Sequence, residues 1–184
     1  MKIALIGGEA ARSNPLASFA RDDGHDLVDG DTMDAEAIWW LGAAADDRDA
    51  AALATIRDRV GRDGIAFLAC GAGHLGLALA LGGACDGKLE TGPRQVLLTE
   101  AGAGGVLMDG VAEPLRVSGG PARQISRLPE GARCLATSQA CPVEAMLFGT
   151  RAFSTHAALG TSGGYDEAAA ERIYINWFQA AARA

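Results

Sequence analysis

The sequence predicts an α/β sandwich of three layers, with helices on both faces of a central, mostly parallel sheet. Three observations carry this. Short apolar runs of strand length alternate with helical patterns along most of the 184 residues,. The chain opens on one such run, Lys2-Ile3-Ala4-Leu5-Ile6-Gly7-Gly8. A second run, Gly64-Ile65-Ala66-Phe67-Leu68, passes through small residues into an apolar stretch that has no breaker until Gly82-Gly83, as a buried helix would,.

The elements follow in order. Lys2–Gly7 is a strand, and Ser13-Asn14-Pro15 opens a helix over Asn14–Asp23 with a cap and a proline in the first turn,. Gly24-His25-Asp26-Leu27-Val28 turns into a second strand, with His25 expected at the surface. The third strand is Ala37-Ile38-Trp39-Trp40-Leu41-Gly42, whose two tryptophans are expected on opposite faces,. Asp49–Arg62 carries apolar residues at 53, 56 and 60 between charges, the pattern of a surface helix,. Strand Ile65–Cys70 and helix Ala72–Leu81 come next. Gly92 to Val117 is turn-rich, with Gln95–Thr99 its clearest strand. Three short strands follow, Arg133–Thr137, Ala145–Phe148 and Arg151–Ser154, and a final helix near Asp166–Ala182 offers Ile173, Trp177 and Phe178 as an apolar face. With neither repeat nor linker, residues 1–184 are expected to form a single domain,.

Composition narrows the function classes. Hydrophobic residues make up 49% of the chain, enough for a sizeable core,. The net charge of −7 comes without any basic run, which argues against nucleic acid or an anionic membrane as partner,. The opening run is too short for a signal peptide, and no apolar stretch reaches membrane-spanning length uninterrupted,. Cysteines 70, 85, 134 and 141 have irregular spacings with no zinc pattern,. Reduced thiols, a cytoplasmic location, no metal and no cofactor are therefore the expectation.

The strand-to-helix passage Ala69-Cys70-Gly71-Ala72-Gly73-His74-Leu75-Gly76 has the geometry of a nucleophile elbow,. Together with Ala78-Leu79-Ala80-Leu81-Gly82-Gly83 it resembles the active-site stretch of class I glutamine amidotransferases, G-[IV]-C-x-G-[HMF]-Q followed by a helix ending in A-L-G-G. The resemblance, closest to the small GMP-synthase-like members, covers nearly the whole chain. Ala35–Ala43 is similar to the strand and turn that supply part of the family's oxyanion hole. Leu128–Ala132 with Ala136–Ala145 looks like its "LPpGa…LA-x-S-x-x-c-P-x-q-a" stretch, and Glu171–Phe178 resembles its closing helix. The resemblance implies a flavodoxin-like sandwich.

It also implies that the reactive groups are gone. Gly71 falls where the family has its cysteine and Leu75 where it has glutamine. Aligning Gly149-Thr150-Arg151-Ala152-Phe153-Ser154-Thr155 with G-V-Q-F-H-P-E puts Phe153 at the base position and Thr155 at the carboxylate position. Gly119-Gly120-Pro121 lies near a tryptophan-histidine-glycine-aspartate stretch of many small members and keeps none of its polar groups. Cys70 sits one residue early, and a one-residue slip along a strand turns a side chain to the opposite face. Amide hydrolysis by a thiol needs a thiolate, a base and a group orienting that base.

The reading that follows is a binding, regulatory or assembly subunit without glutaminase activity. The alternative is an active amidotransferase using Cys70 with His156, although His156 reads as a solvent-facing loop residue and His74 as scaffold. The expected partner is another protein subunit or a small acidic metabolite, with self-association left open. An anion is expected between the helix start at Gly71, Ala72 and Gly73 and the Gly42-Ala43 turn, with Arg151 as charge partner,.

Overall fold

The computed structural model describes residues 1–30, 33–41, 49–89, 92–111, 113–161 and 164–182. Its elements are β1 (Lys2–Ile6), α1 (Gly8–Arg12), α2 (Pro15–Asp22), β2 (Asp26–Asp29), β3 (Ala37–Trp40), α3 (Ala50–Thr55), β4 (Ala66–Cys70), α4 (Ala72–Ala80) and β5 (Ala84–Asp86). These are followed by β6 (Arg94–Leu98), α5 (Glu100–Ala103), β7 (Leu115–Val117), β8 (Gln124–Arg127), β9 (Ala132–Thr137), β10 (Ala145–Phe148), β11 (Ala152–Thr155) and α6 (Glu167–Ala182). The amphipathic segment expected over Asp49–Arg62 is one continuous helical stretch, α-helical at first and π-helical over Ile56–Arg62.

Nine strands form one sheet in the order β2-β1-β3-β4-β11-β10-β9-β6-β7, and β5 pairs with β8 as a separate ribbon. From β2 to β11 neighbours run parallel,. From β11 to β7 the pairing is antiparallel, and β10 and β11 form a hairpin. Helices flank both faces, so the α/β sandwich expected from the alternating pattern is the fold.

Two apolar cores result, one on each face. Trp39, Leu68, Cys70 and Phe153 join Ile173, Tyr174 and Trp177 of α6 in the first. Trp40, Phe67 and Ala69 join Ile56, Val60, Leu75 and Leu77 in the second. Adjacent tryptophans thus serve opposite faces, as strand alternation requires. Trp39 meets Trp177 edge-on, with ring centroids 5.7 Å apart. Helix α4 lies flat on Trp40: a Cβ at Gly73 would stand 2.7 Å from the Trp40 carbonyl oxygen, and one at Gly76 would stand 2.5 Å from its ring. Asn14 caps α2 as its sequence predicts, accepting from Leu16 N–H at 3.0 Å. His25, expected at the surface, is instead half-buried and stacks on Phe178 with centroids 4.4 Å apart.

Candidate functional site

The site begins at the end of β4. Gly71 makes the turn into α4 with φ 63° and ψ −123°, a conformation that strains any residue with a Cβ,. In the register between β4 and β11, Leu68 lies beside Phe153, Ala69 beside Ser154 and Cys70 beside Thr155. Gly71 N–H then donates to the Thr155 carbonyl at 3.1 Å, so the residue abreast of the elbow is His156.

This register places the sequence-predicted residues. Cys70 points away from the elbow, fully buried in the α6-side core. Phe153, read from sequence as the base position, fills that same core beside Leu68, below the level of the turn. Thr155, read as the carboxylate position, is buried and donates its hydroxyl to the Ala157 carbonyl at 2.8 Å. His156, the next residue after Thr155, lies at the strand end.

Arg151 is also displaced from its expected role. It lies in the β10–β11 turn at the opposite end of β4 and donates to the Gly64 carbonyl at 2.7 Å, so it is not a charge partner for the elbow. Gly71, Ala72 and Gly73 are brought together at the start of α4, all buried. Gly42 and Ala43 lie outside the described residues.

His156 is fully buried rather than solvent-facing. Its Nε2 lies 2.8 Å from the Arg123 carbonyl, which can only accept, so Nε2 carries the proton and Nδ1 presents its lone pair,. Arg94 Nη2 donates to that Nδ1 at 3.2 Å, and Glu144 Oε2 is 3.9 Å away. Burial lowers the His156 pKa, with Arg94 adding to the effect while the Arg123 carbonyl and Glu144 oppose it. His74 on α4 meets it edge-on, with ring centroids 5.9 Å apart. His74 Nε2 donates to the Val143 carbonyl at 3.1 Å, which leaves Nδ1 to accept from the Ser154 hydroxyl at 2.8 Å. Burial first, then His156, lowers its pKa to about 3, so it is a neutral, satisfied core residue.

The polar centre of the site was not singled out from the sequence. Arg94 holds Glu144 in a fork, Nε to Oε1 and Nη2 to Oε2, with both side chains almost entirely buried,. Ser138 Oγ donates to Glu144 Oε1 at 2.7 Å and accepts from Cys141 N–H at 3.0 Å. The Cys141 thiol is fully buried, and burial, with Glu144 adding to it, pushes its pKa up to about 12. The segment around Gly119–Arg123 closes over this group through its backbone: Gly119 O accepts from Arg94 at 3.0 Å, and Gly120 has φ 131° at a place where a Cβ would stand 2.5 Å from His156 Nδ1. A carboxylate in the apolar stretch Pro142-Val143-Glu144-Ala145-Met146 was the available signal, since a buried charge must find a partner,.

Chemically, the elbow presents a glycine backbone beside a base already engaged by Arg94. Among the described residues one potential ligand set is present: the donor atoms of Cys141, Glu144 and His156 lie within 4.8 Å of one another. No helix among the described residues is long and apolar enough to cross a membrane.

Comparison with known proteins bears on the fold. No family model matches the sequence, and no curated protein matches it. Solved structures do match. The protein SMU.1228c superposes with a TM-score of 0.81 at 17% identity, over 98% of this chain and 99% of that one. A putative GMP synthase subunit from Thermoplasma acidophilum gives 0.77 at 18% identity, over 100% and 94%. A glutamine amidotransferase from Methylobacillus flagellatus gives 0.74 at 14% identity, over 98% and 94%. The fold is therefore that of the glutamine amidotransferase-like structures.

Proposed function

We propose that this chain is a glutamine amidotransferase-like protein that does not hydrolyse glutamine and acts by binding, in a regulatory or assembly role. The observation that carries the reading is the elbow. Gly71 occupies the strained turn with φ 63°, and Cys70, one residue earlier, is buried on the other side of the strand in the α6-side core. Losing a nucleophile from a unit that works together removes nearly all of its rate advantage. Arg94 and the Arg123 carbonyl also occupy both nitrogens of His156. One similar structure is described as a GMP synthase subunit, which supports a protein partner. With Arg151 at the far end of β4, the acidic-metabolite version has lost its charge partner.

A second reading has one observation in its favour: His156 stands abreast of the elbow. It would make the chain an active amidotransferase using Cys70, whose thiol would have to leave the core. The assay is ammonia release from glutamine, together with covalent labelling by a glutamine-mimicking electrophile. The expected result is no ammonia and no label at residue 70. Turnover that Cys70→Ser abolishes would establish the second reading instead.

A further inference from the structure

We propose that Cys141, Glu144 and His156 form a binding site for a zinc-type divalent cation, with Arg94 as the built-in charge that fills the site in its absence. The three donor atoms already lie within 4.8 Å of one another, and all three residues are fully buried. Thiolate, carboxylate and imidazole together suit zinc or a similar borderline metal, and three protein ligands leave a fourth position for water or a ligand. Bond lengths of about 2.0 to 2.3 Å in a tetrahedron imply donor separations of about 3.3 to 3.8 Å, so the ligands must close in by about an ångström. No cysteine spacing announces the site, because it takes a single cysteine from the loop before β10 and a histidine from the end of β11.

The surroundings are arranged as they are around metal ligands. His156 donates Nε2–H to the Arg123 carbonyl, which fixes the tautomer and leaves Nδ1 as the ring's lone-pair nitrogen, 3.9 Å from Glu144 Oε2 and engaged by Arg94,. Ser138 holds Glu144 through its hydroxyl and the Cys141 backbone through its oxygen. Arg94 supplies the positive charge that Glu144 requires, and its Nη2 sits against the same Nδ1. Its hold is incomplete, because Nη1 is buried with no partner among the described residues. Residue Arg94 also borders an open cleft of about 490 Å³ with Pro93, Gln95, Leu97 and Gln139. Binding forms a bond from the metal to Cys141 Sγ, breaks the S–H bond and releases that proton to solvent.

The test is titration of the metal-free full chain with Co²⁺, followed by thiolate-to-cobalt absorption and then by displacement with Zn²⁺. The expected result is one equivalent bound with a thiolate band that Cys141→Ser abolishes and that Cys85→Ser and Cys134→Ser leave intact. Ser138→Ala should weaken binding about tenfold, and Arg94→Ala, which removes the competing cation, should tighten it. No thiolate band, or a band that survives in Cys141→Ser, overturns the proposal. Should Cys141→Ser fail to fold, X-ray absorption of the zinc-loaded natural chain decides. One sulfur with nitrogen and oxygen ligands supports the site, and any other sulfur count overturns it.

Discussion

At Gly71 the backbone takes a shape that a side chain would resist, and nothing there requires a side chain to be present. Substituting Gly71 by alanine should cost about 1–3 kcal/mol, read as a lowered urea midpoint. Gly71→Cys should cost a similar amount and still release no ammonia from glutamine. Equal stability of Gly71→Ala and the natural chain would show that the turn relaxes in solution. The Arg94–Glu144 pair, with side chains 6% and 0% exposed, makes a second prediction at this scale. Glu144→Gln leaves a buried guanidinium without its counter-charge and should cost about 3–5 kcal/mol in chemical denaturation. Adding Arg94→Met should recover most of that loss, because removing both charges removes the mismatch.

Among the elements, α4 makes its closest approach to the sheet at one indole, that of Trp40. Alanine at Gly73 or Gly76 would push against the Trp40 backbone and ring at 2.7 and 2.5 Å, and neither is a flexible chain end that could give way. Each substitution should destabilise by about 1–3 kcal/mol, and Gly76→Ala paired with Trp40→Leu should be milder than the sum. This scale also shows what sequence could and could not carry. The strand-turn-helix at residues 66–80 was legible because periodicity, small residues and the Gly82-Gly83 stop all agree on it. Asn14 and Pro15 gave away the start of α2 for the same local reason. Motif matching places Phe153 and Thr155 along a strand without knowing which residue lies abreast of the neighbouring turn, and the β4–β11 register supplies that. His156 was named from the sequence only as an alternative and read as solvent-facing, because its burial depends on the β4–β11 pairing and on the segment that closes over it. Arg94 with Glu144 was out of reach because the partners stand 50 positions apart, one on β6 and the other just before β10, with β9 between those strands.

Over the whole molecule, buried neutral histidines make stability depend on pH. The pKa of His74 is lowered from 6.5 to about 3, and that of His156 is also lowered, both chiefly by burial. Above the unfolded value near 6.5 neither form is protonated, and their contribution to stability is fully present. As pH falls toward the folded values the unfolded chain takes up protons that the folded chain refuses. Stability should then drop by up to about 1.4 kcal/mol per pH unit for each histidine. Urea midpoints measured between about pH 7.5 and 5 should fall steadily, and a flat profile would mean these imidazoles are protonated in place. The neighbouring tryptophans of β3 have a further use. Trp39 and Trp177 share one face of the sheet while Trp40 is alone on the other. The molecule thus carries a separate natural fluorophore for each layer, attached at adjacent positions of one strand. Trp40→Phe leaves emission from the α6 layer alone, and Trp39→Phe with Trp177→Phe leaves emission from the α4 layer. Each layer can then be watched melting by its own light, and coincident curves would establish that the two cores come apart in one step.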